Sequence, residues 1–310
     1  MTERSDQINT ACFSPDGKLI VSGNQKGIIA LWDAESGTCL REWENMLSTY
    51  AKAYPVYRVI FAPSGEAVIS GGEDHTIKIW DVQDSELIGT LAKHYRVTSL
   101  DISQHGLLVS GSAACLNADS SITLWDVKTC KPMRSFNDGG GDVRCVALSP
   151  DATVVASNSS DTSICLRHVS NGQRLAQLKL GTAVNSLCFS GDGKYLAAGE
   201  DSSQIVCFDV NTRKEIRTYV SQGEDLLSSL CFSRDRKYLA AGTYAGSLTV
   251  WELSSGSEVV YSQCEGPILT CSFHPDSKEL RCAAWISSGI ITKTVRIRQE
   301  ESGVDLITSS

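Results

Sequence analysis

The sequence predicts an all-β protein made of seven copies of one four-stranded unit, and three observations carry that prediction. Tripeptides centred on one position recur along the chain: LWD at 31–33, IWD at 79–81, LWD at 124–126 and VWE at 250–252, with weaker copies LRH at 166–168, CFD at 207–209 and IRQ at 297–299. Their central residues, Trp32, Trp80, Trp125, Arg167, Phe208, Trp251 and Arg298, are spaced by 48, 45, 42, 41, 43 and 47 residues, a mean of about 44. Short alternating runs bounded by turn residues fill each interval, and no stretch shows helical periodicity of comparable strength.

Each copy has the same order of elements. An alternating run such as VNSLCFS forms the first strand, and a turn follows (FSPDGK, APSGEA, LSPDAT, SGDGKY, HPDSKE). There Pro fixes φ, Asp bonds its own backbone and Gly supplies positive φ. A small-residue second strand ends in SG or AG (LIVSG, AVISG, LLVSG, YLAAG). A tight turn leads into the Trp strand, and a polar turn such as AESG, VSNG or SSGS leads into the fourth. One such sheet cannot bury both faces alone, so units of this length close radially into a β-propeller, each sheet packing on the next.

These strings resemble WD40 repeats, and the resemblance runs from about Gln7 to Ile307. It implies a seven-bladed WD40 β-propeller with four antiparallel strands per blade, lettered a to d from the inside out. The whole chain, 1–310, is then a single domain of seven repeats at approximately 7–44, 56–91, 97–136, 143–180, 184–220, 227–262 and 268–309. EESG at 300–303 matches AESG at 34–37, which makes VDLITS the last blade's own strand d. The chain then runs from strand a of blade 1 to strand d of blade 7, without the interlocking strand of most relatives. Two readings follow: closure by face-to-face packing, or a shortened form of something longer. Blades 2–4 are also similar to the propeller of Tup/Groucho-type corepressors.

Composition narrows the function. Hydrophobic residues make up 42%, enough for a substantial core. The 28 basic and 36 acidic residues give a net charge of −8, which opposes an unassisted grip on nucleic acid. MTERSDQINT has no signal-peptide core, and no apolar run approaches the ~18 residues of a membrane helix. The 12 cysteines are scattered without a CxxC pair. Cys12, Cys188 and Cys231 recur before Phe in one context, as small buried hydrophobes would, so the thiols are expected reduced in an intracellular protein, cytoplasmic or nuclear. No cofactor is expected, and no His has metal-ligand spacing to a Cys or a second His.

The resemblance also assigns a structural tetrad: a His from the d–a loop, a Ser or Thr of strand b, an Asp of the b–c turn and the strand-c Trp. Only blade 3 has the full set, His94, Ser110, Asp119 and Trp125. These residue types could suggest a Ser-His-Asp enzyme, but the family pattern makes them a brace of half-buried groups. The chain is therefore expected not to be an enzyme.

Binding is expected on the face built by the d–a and b–c loops. The long loop 45–56, NMLSTYAKAYPV, carries Tyr50, Lys52 and Tyr54, and Tyr57 and Arg58 follow it. Tyr95, Arg96 and Arg144 enter at the next two blades, and the b–c hairpin of blade 3 is lengthened around residues 113–118 with Cys115. Glu200, Asp201, Glu224 and Asp225 enter at blades 5 and 6, beside Tyr244. Tyr and Arg anchor interfaces through large area and directed polar bonds, and an Arg row suits an acidic or phosphorylated peptide. The expected partners are proteins or peptides, with no direct nucleic acid and no membrane. The alternative is a structural subunit of a larger complex, for example a corepressor-type assembly. Neither the WD-x-R pattern of many ubiquitin-ligase receptors nor the FRRG of phosphoinositide-binding propellers occurs.

Overall fold

A computed structural model of the chain describes residues 7–47, 52–92, 95–113, 121–137, 141–158, 162–221, 225–274, 279–286 and 289–297. Every regular element among them is a β-strand, in antiparallel meanders whose neighbours in sequence are neighbours in the sheet. This is the all-β propeller class that the repeat predicts. Among the described residues six sheets have four strands, one has three, Ile268–Phe273, Glu279–Ile286 and Gly289–Arg296, and a small one pairs Met46–Leu47 with Lys52–Ala53. VDLITS, read as the fourth strand of the three-stranded sheet, lies outside the described residues, as does Arg298. The chain divides into two compact units. Unit 1 is residues 1–34 and 38–179 and carries blades 1–4; unit 2 is residues 35–37 and 180–310 and carries blades 5–7.

Within each unit the core lies between consecutive blades. In unit 1, Val21, Ile29 and Leu31 of blade 1 meet Val59, Phe61 and Val68 of blade 2. In unit 2, Ala240, Leu248 and Val250 of blade 6 meet Ile268, Leu280 and Val295 of blade 7. The SG and AG endings have a packing cause. A Cβ on Gly71 would stand 2.5 Å from Val97 Cγ1, and one on Gly111 would stand 2.6 Å from Val143 Cγ1. Each glycine therefore leaves room for a valine that opens the next blade's strand a or lies just before it.

The repeated Trp has two attachments. Its ring nitrogen donates to the strand-b serine in Trp32–Ser22 (2.8 Å), Trp80–Ser70 (2.8 Å) and Trp125–Ser110 (2.9 Å). Its ring face packs on the preceding blade's strand d: Trp80 lies 6.2 Å from Trp43, and Trp251 lies 5.6 Å from Tyr219. Arg167, the weak copy in blade 4, does the same by other chemistry, its guanidinium 5.6 Å from the centre of the Phe136 ring.

The recurrent Cys position packs against the core as the sequence suggests, and it has a second role. Cys12, Cys188 and Cys231 are half-buried. The Cys12 and Cys231 sulfurs accept backbone hydrogen bonds from Phe61 and Phe273 of the following strand a, and burial raises both thiols above their ordinary range. In blade 3 the same position is Asp101, whose Oδ2 accepts the Leu148 N–H at 2.7 Å. The position thus supplies an acceptor linking consecutive strands a, which only a polar or polarizable side chain can do. Among the described residues no cysteine is in a disulfide.

Candidate functional site

In blades 1, 2 and 3 of unit 1 the start of strand a carries a ladder shift, between Ile8 and Thr10, between Val56 and Arg58, and between Val97 and Ser99. Such bulges re-aim side chains. The residue after the shift is Thr10 in blade 1 and Ser99 in blade 3, and their hydroxyls accept N–H groups of the next strand a, from Val59 (3.4 Å) and Val146 (3.1 Å). Blade 2 has Arg58 there instead. Arg58 is exposed and makes no ion pair or side-chain hydrogen bond among the described residues; its charge acts on Asp101, Cys12 and Cys145. Burial pushes Asp101 up to about 6, against the N–H bonds from Leu148 and Ile102 and the pull of Arg58.

Arg144 is also exposed with no side-chain partner among the described residues. Its loop is held by Asn158, whose Oδ1 accepts the N–H of Arg144 (2.7 Å) and of Cys145 (3.0 Å), while Nδ2 donates to the Asp142 carbonyl at 3.1 Å. Sequence reading did not single out Asn158, although it ends strand b where other blades have Gly-Asn, Gly-Gly or Gly-Ser. Arg96 differs from its two companions. It lies 4.0 Å from Glu73 and 3.7 Å from Asp142, and the Tyr57 hydroxyl donates to the same Glu73 carboxylate at 2.7 Å. Burial, then the Glu73 hydrogen bond and charge, raise the Tyr57 phenol above its usual range. Arg58 and Arg144 are therefore open to a ligand, and Arg96 is tied into Tyr57–Glu73–Asp142.

Tyr54 and Tyr95 are half-buried at the same end of unit 1. Loop 45–56 contains a short hairpin in which Met46 pairs with Ala53 and Leu47 with Lys52. Tyr50, the Lys52 side chain and most of the 113–118 insertion, with Cys115, lie outside the described residues. Tyr244 is exposed in unit 2. The acidic group expected beside it is used locally. Glu200 is buried, accepting from Gly181 N at 3.0 Å and Ser202 Oγ at 3.1 Å. Asp201 accepts from Asn185, Asp225 accepts from Ala245 N, and Glu224 is outside the described residues. The acidic patch is thus largely turn chemistry.

Ser110 is fully buried, and its hydroxyl accepts from Trp125. His94 and Asp119, the other tetrad members, lie outside the described residues. Sequence reading missed a different cluster in blade 2. Lys78 and Asp74 form a buried ion pair, Lys78 Nζ also donates to Asn45 Oδ1 at 2.8 Å, and Asn45 Nδ2 and Thr76 Oγ1 donate to Asp74 at 3.3 and 2.8 Å. Only the order of residue types across a d–a loop, a b–c turn and a strand c could have signalled it. Among the described residues no group of three His, Cys, Asp or Glu side chains is placed to hold a metal ion, and no helix is long and apolar enough to cross a membrane.

Comparison with known proteins agrees with this geometry. The family model described as "WD domain, G-beta repeat" matches residues 2–33, 43–81, 85–126 and 213–252. A second, "Anaphase-promoting complex subunit 4 WD40 domain", matches residues 146–227. Small ribosomal subunit protein RACK1y of Oryza sativa subsp. japonica is 36% identical over 99 residues, covering 32% of this chain and 28% of that protein. Periodic tryptophan protein 2 of Saccharomyces cerevisiae is 28% identical over 214 residues (68% and 22%), and WD repeat-containing protein 1 of Bos taurus is 26% identical over 235 residues (73% and 37%). The chain spans well under half the length of these relatives. The family match falls on the Trp-centred units whose Ser–Trp bonds and interblade packing are described above, and on that ground the chain belongs to the WD-repeat family of β-propellers.

Proposed function

We propose that the chain is a non-catalytic scaffold that binds protein partners, reading an acidic or phosphorylated peptide at the Arg58–Arg144 end of unit 1. The observation that carries this reading is that two exposed guanidinium groups on nearby strand starts have no carboxylate partner among the described residues, beside Tyr57 and Tyr95. Charge-assisted hydrogen bonds to carboxylate or phosphate are the strong ones, and arginine offers them in a planar fork. The buried Ser110 hydroxyl, already bonded to Trp125, supports the absence of a nucleophile there. The test measures fluorescence anisotropy with a panel of neutral, glutamate-rich and phosphoserine peptides. Acidic members should bind, and the R58E/R144E double variant, folded by circular dichroism, should bind at least tenfold more weakly. Equal binding by the variant would remove the reading.

A second reading, a structural subunit of a larger assembly, draws support from unit 1. Leu40, Leu87, Ile88 and Met133 on the strands d of blades 1–3 are 55%, 50%, 60% and 63% exposed. Large exposed apolar side chains gathered on one kind of strand mark contact surfaces. Size fractionation of cell extract tests it: I88E/M133E should move the chain to a smaller species, and an unchanged profile counts against it.

A further inference from the structure

The hydrogen-bonded corner of blade 2 has a counterpart in unit 2 made of thiols. Ser70 pairs with Lys78 across strands b and c of blade 2, and Cys282 pairs with Lys293 in the same register of blade 7. Asn45 opens the d–a loop before blade 2, and Cys264 opens the one before blade 7. Where Trp80 donates to Ser70, blade 7 has Val295, so Cys282 receives no indole N–H. It meets Cys264 instead, with the two sulfurs 3.7 Å apart.

The two thiols differ in access. Cys282 is 0% exposed; Cys264 is 7% exposed and lines an open groove of about 690 Å³ with Gln263, Glu265, Glu35 and Lys293. Lys293 Nζ donates to the Gln263 carbonyl at 3.0 Å, beside Cys264. The Cys282 S–H and the Lys293 charge hold the Cys264 thiol below its ordinary range against its burial, while Cys282, keeping the shared proton in a dry site, is raised.

We propose that Cys264 and Cys282 are a peroxide-reactive dithiol, with Cys264 the attacking sulfur and Cys282 the resolving one. The Cys264 thiolate attacks one oxygen of hydrogen peroxide; the S–O bond forms, the O–O bond breaks, and the departing hydroxide takes a proton to leave as water. The Cys282 sulfur then attacks the sulfenic sulfur. The S–S bond forms, the S–OH bond breaks, and a second water leaves with the Cys282 proton. Two thiols are oxidised by two electrons, peroxide is reduced to two waters, and a dithiol reductant reverses the change. Closing from 3.7 Å to the ~2.05 Å of a disulfide needs a small rotation of each side chain. The bond would staple the start of the d–a loop to strand b of blade 7.

The test treats the intact chain with hydrogen peroxide at pH 7, alkylates the remaining thiols and maps peptides by mass spectrometry. A Cys264–Cys282 linked peptide, two hydrogens lighter, should form before the exposed Cys39, whose sulfur touches only Arg41 and Glu42, is modified. In Cys282→Ser, Cys264 should stop at sulfenic acid and be trapped by dimedone; in Cys264→Ser, Cys282 should stay reduced. Lys293→Met should slow the first step roughly five- to tenfold at pH 7 and move its pH–rate profile upward, with Lys293→Arg restoring it. Both cysteines fully alkylated after Cys39 has reacted, or no dimedone adduct in a folded Cys282→Ser, would overturn the assignment.

Discussion

Blades 2 and 6 solve the same corner in opposite ways. In blade 2, Asn45, Asp74 and Lys78 fill it with a buried ion pair and an amide bridging both charges. In blade 6 the same places hold Ser221, Ala245 and Thr249, and one contact between the Ser221 and Thr249 hydroxyls, at 3.4 Å, replaces the network. The backbone ladders are alike, so what differs is the consequence of losing one member. A hydroxyl that loses its partner costs about 1–3 kcal/mol, whereas a buried charge that loses its counter-ion costs about 3–5 kcal/mol. Blade 2 is the corner whose parts must change together.

The largest expected effect breaks that corner. Lys78→Met should destabilise the chain by about 3–5 kcal/mol, read as a lower urea midpoint. Installing the blade 6 residues, Asp74→Ala with Lys78→Thr, should recover most of it, since no charge is then left alone. A double variant no more stable than the single would show that the ion pair is not the source of the loss.

The next effect lies between consecutive strands a. Asp101 and Cys231 occupy one position in the two units and accept the N–H of Leu148 and of Phe273. Asp101 titrates near 6 in the folded chain against 3.8 for the free side chain. The folded state therefore binds the proton more tightly, and this contribution to stability is full below pH 4 and is lost as pH rises through 6. At about 1.4 kcal/mol per unit, the loss is up to roughly 3 kcal/mol. Asp101→Cys, the unit 2 choice, should flatten that segment of the denaturation profile between pH 4 and 7; a slope equal to that of the parent would remove Asp101 as its cause.

Smaller again is the interblade contact. Gly71→Ala places a methyl 2.5 Å from Val97 Cγ1 and should cost about 1–3 kcal/mol, partly relieved by Val97→Ala. The smallest change is at the a–b turns. Gly17 and Gly193 have φ of 72° and 71°, but Ala152 holds the same turn place at 56°. Ala152→Gly should stabilise by about 0.5–1 kcal/mol, because relief of left-handed strain exceeds the added chain entropy. A lower thermal midpoint would contradict it.

The repeat and its turns were legible because each depends on residues close in sequence and recurs along the chain, and the Trp–Ser bonds were legible in the three blades that keep both residues. Arg167 was legible only as a failed Trp. That a guanidinium covers Phe136 depends on an aromatic of another repeat, and no single copy shows both. The Lys78–Asp74–Asn45 corner was hidden likewise, since its members lie on three elements and only blade 2 has that set. At the candidate surface, sequence placed Arg58, Arg96 and Arg144 together by residue type. Which of them is already paired depended on Glu73 and Asp142, ordinary turn acids by sequence. Glu200 was misread because an acid in a turn next to a strand looks solvated, and its three local donors become visible only in space.

The glycine seats also shift where one repeat stops and the next begins. Val56 sits over Gly23, Val97 over Gly71 and Val143 over Gly111, so the opening residue of each copy finishes the sheet before it. The module that could be excised and still close its own packing is therefore not the interval between successive Trp residues. It starts at a strand b and ends on the following strand a, carrying its valine with it. A chain cut or permuted at that offset keeps every glycine covered, while a cut at the sequence repeat uncovers one at each new end.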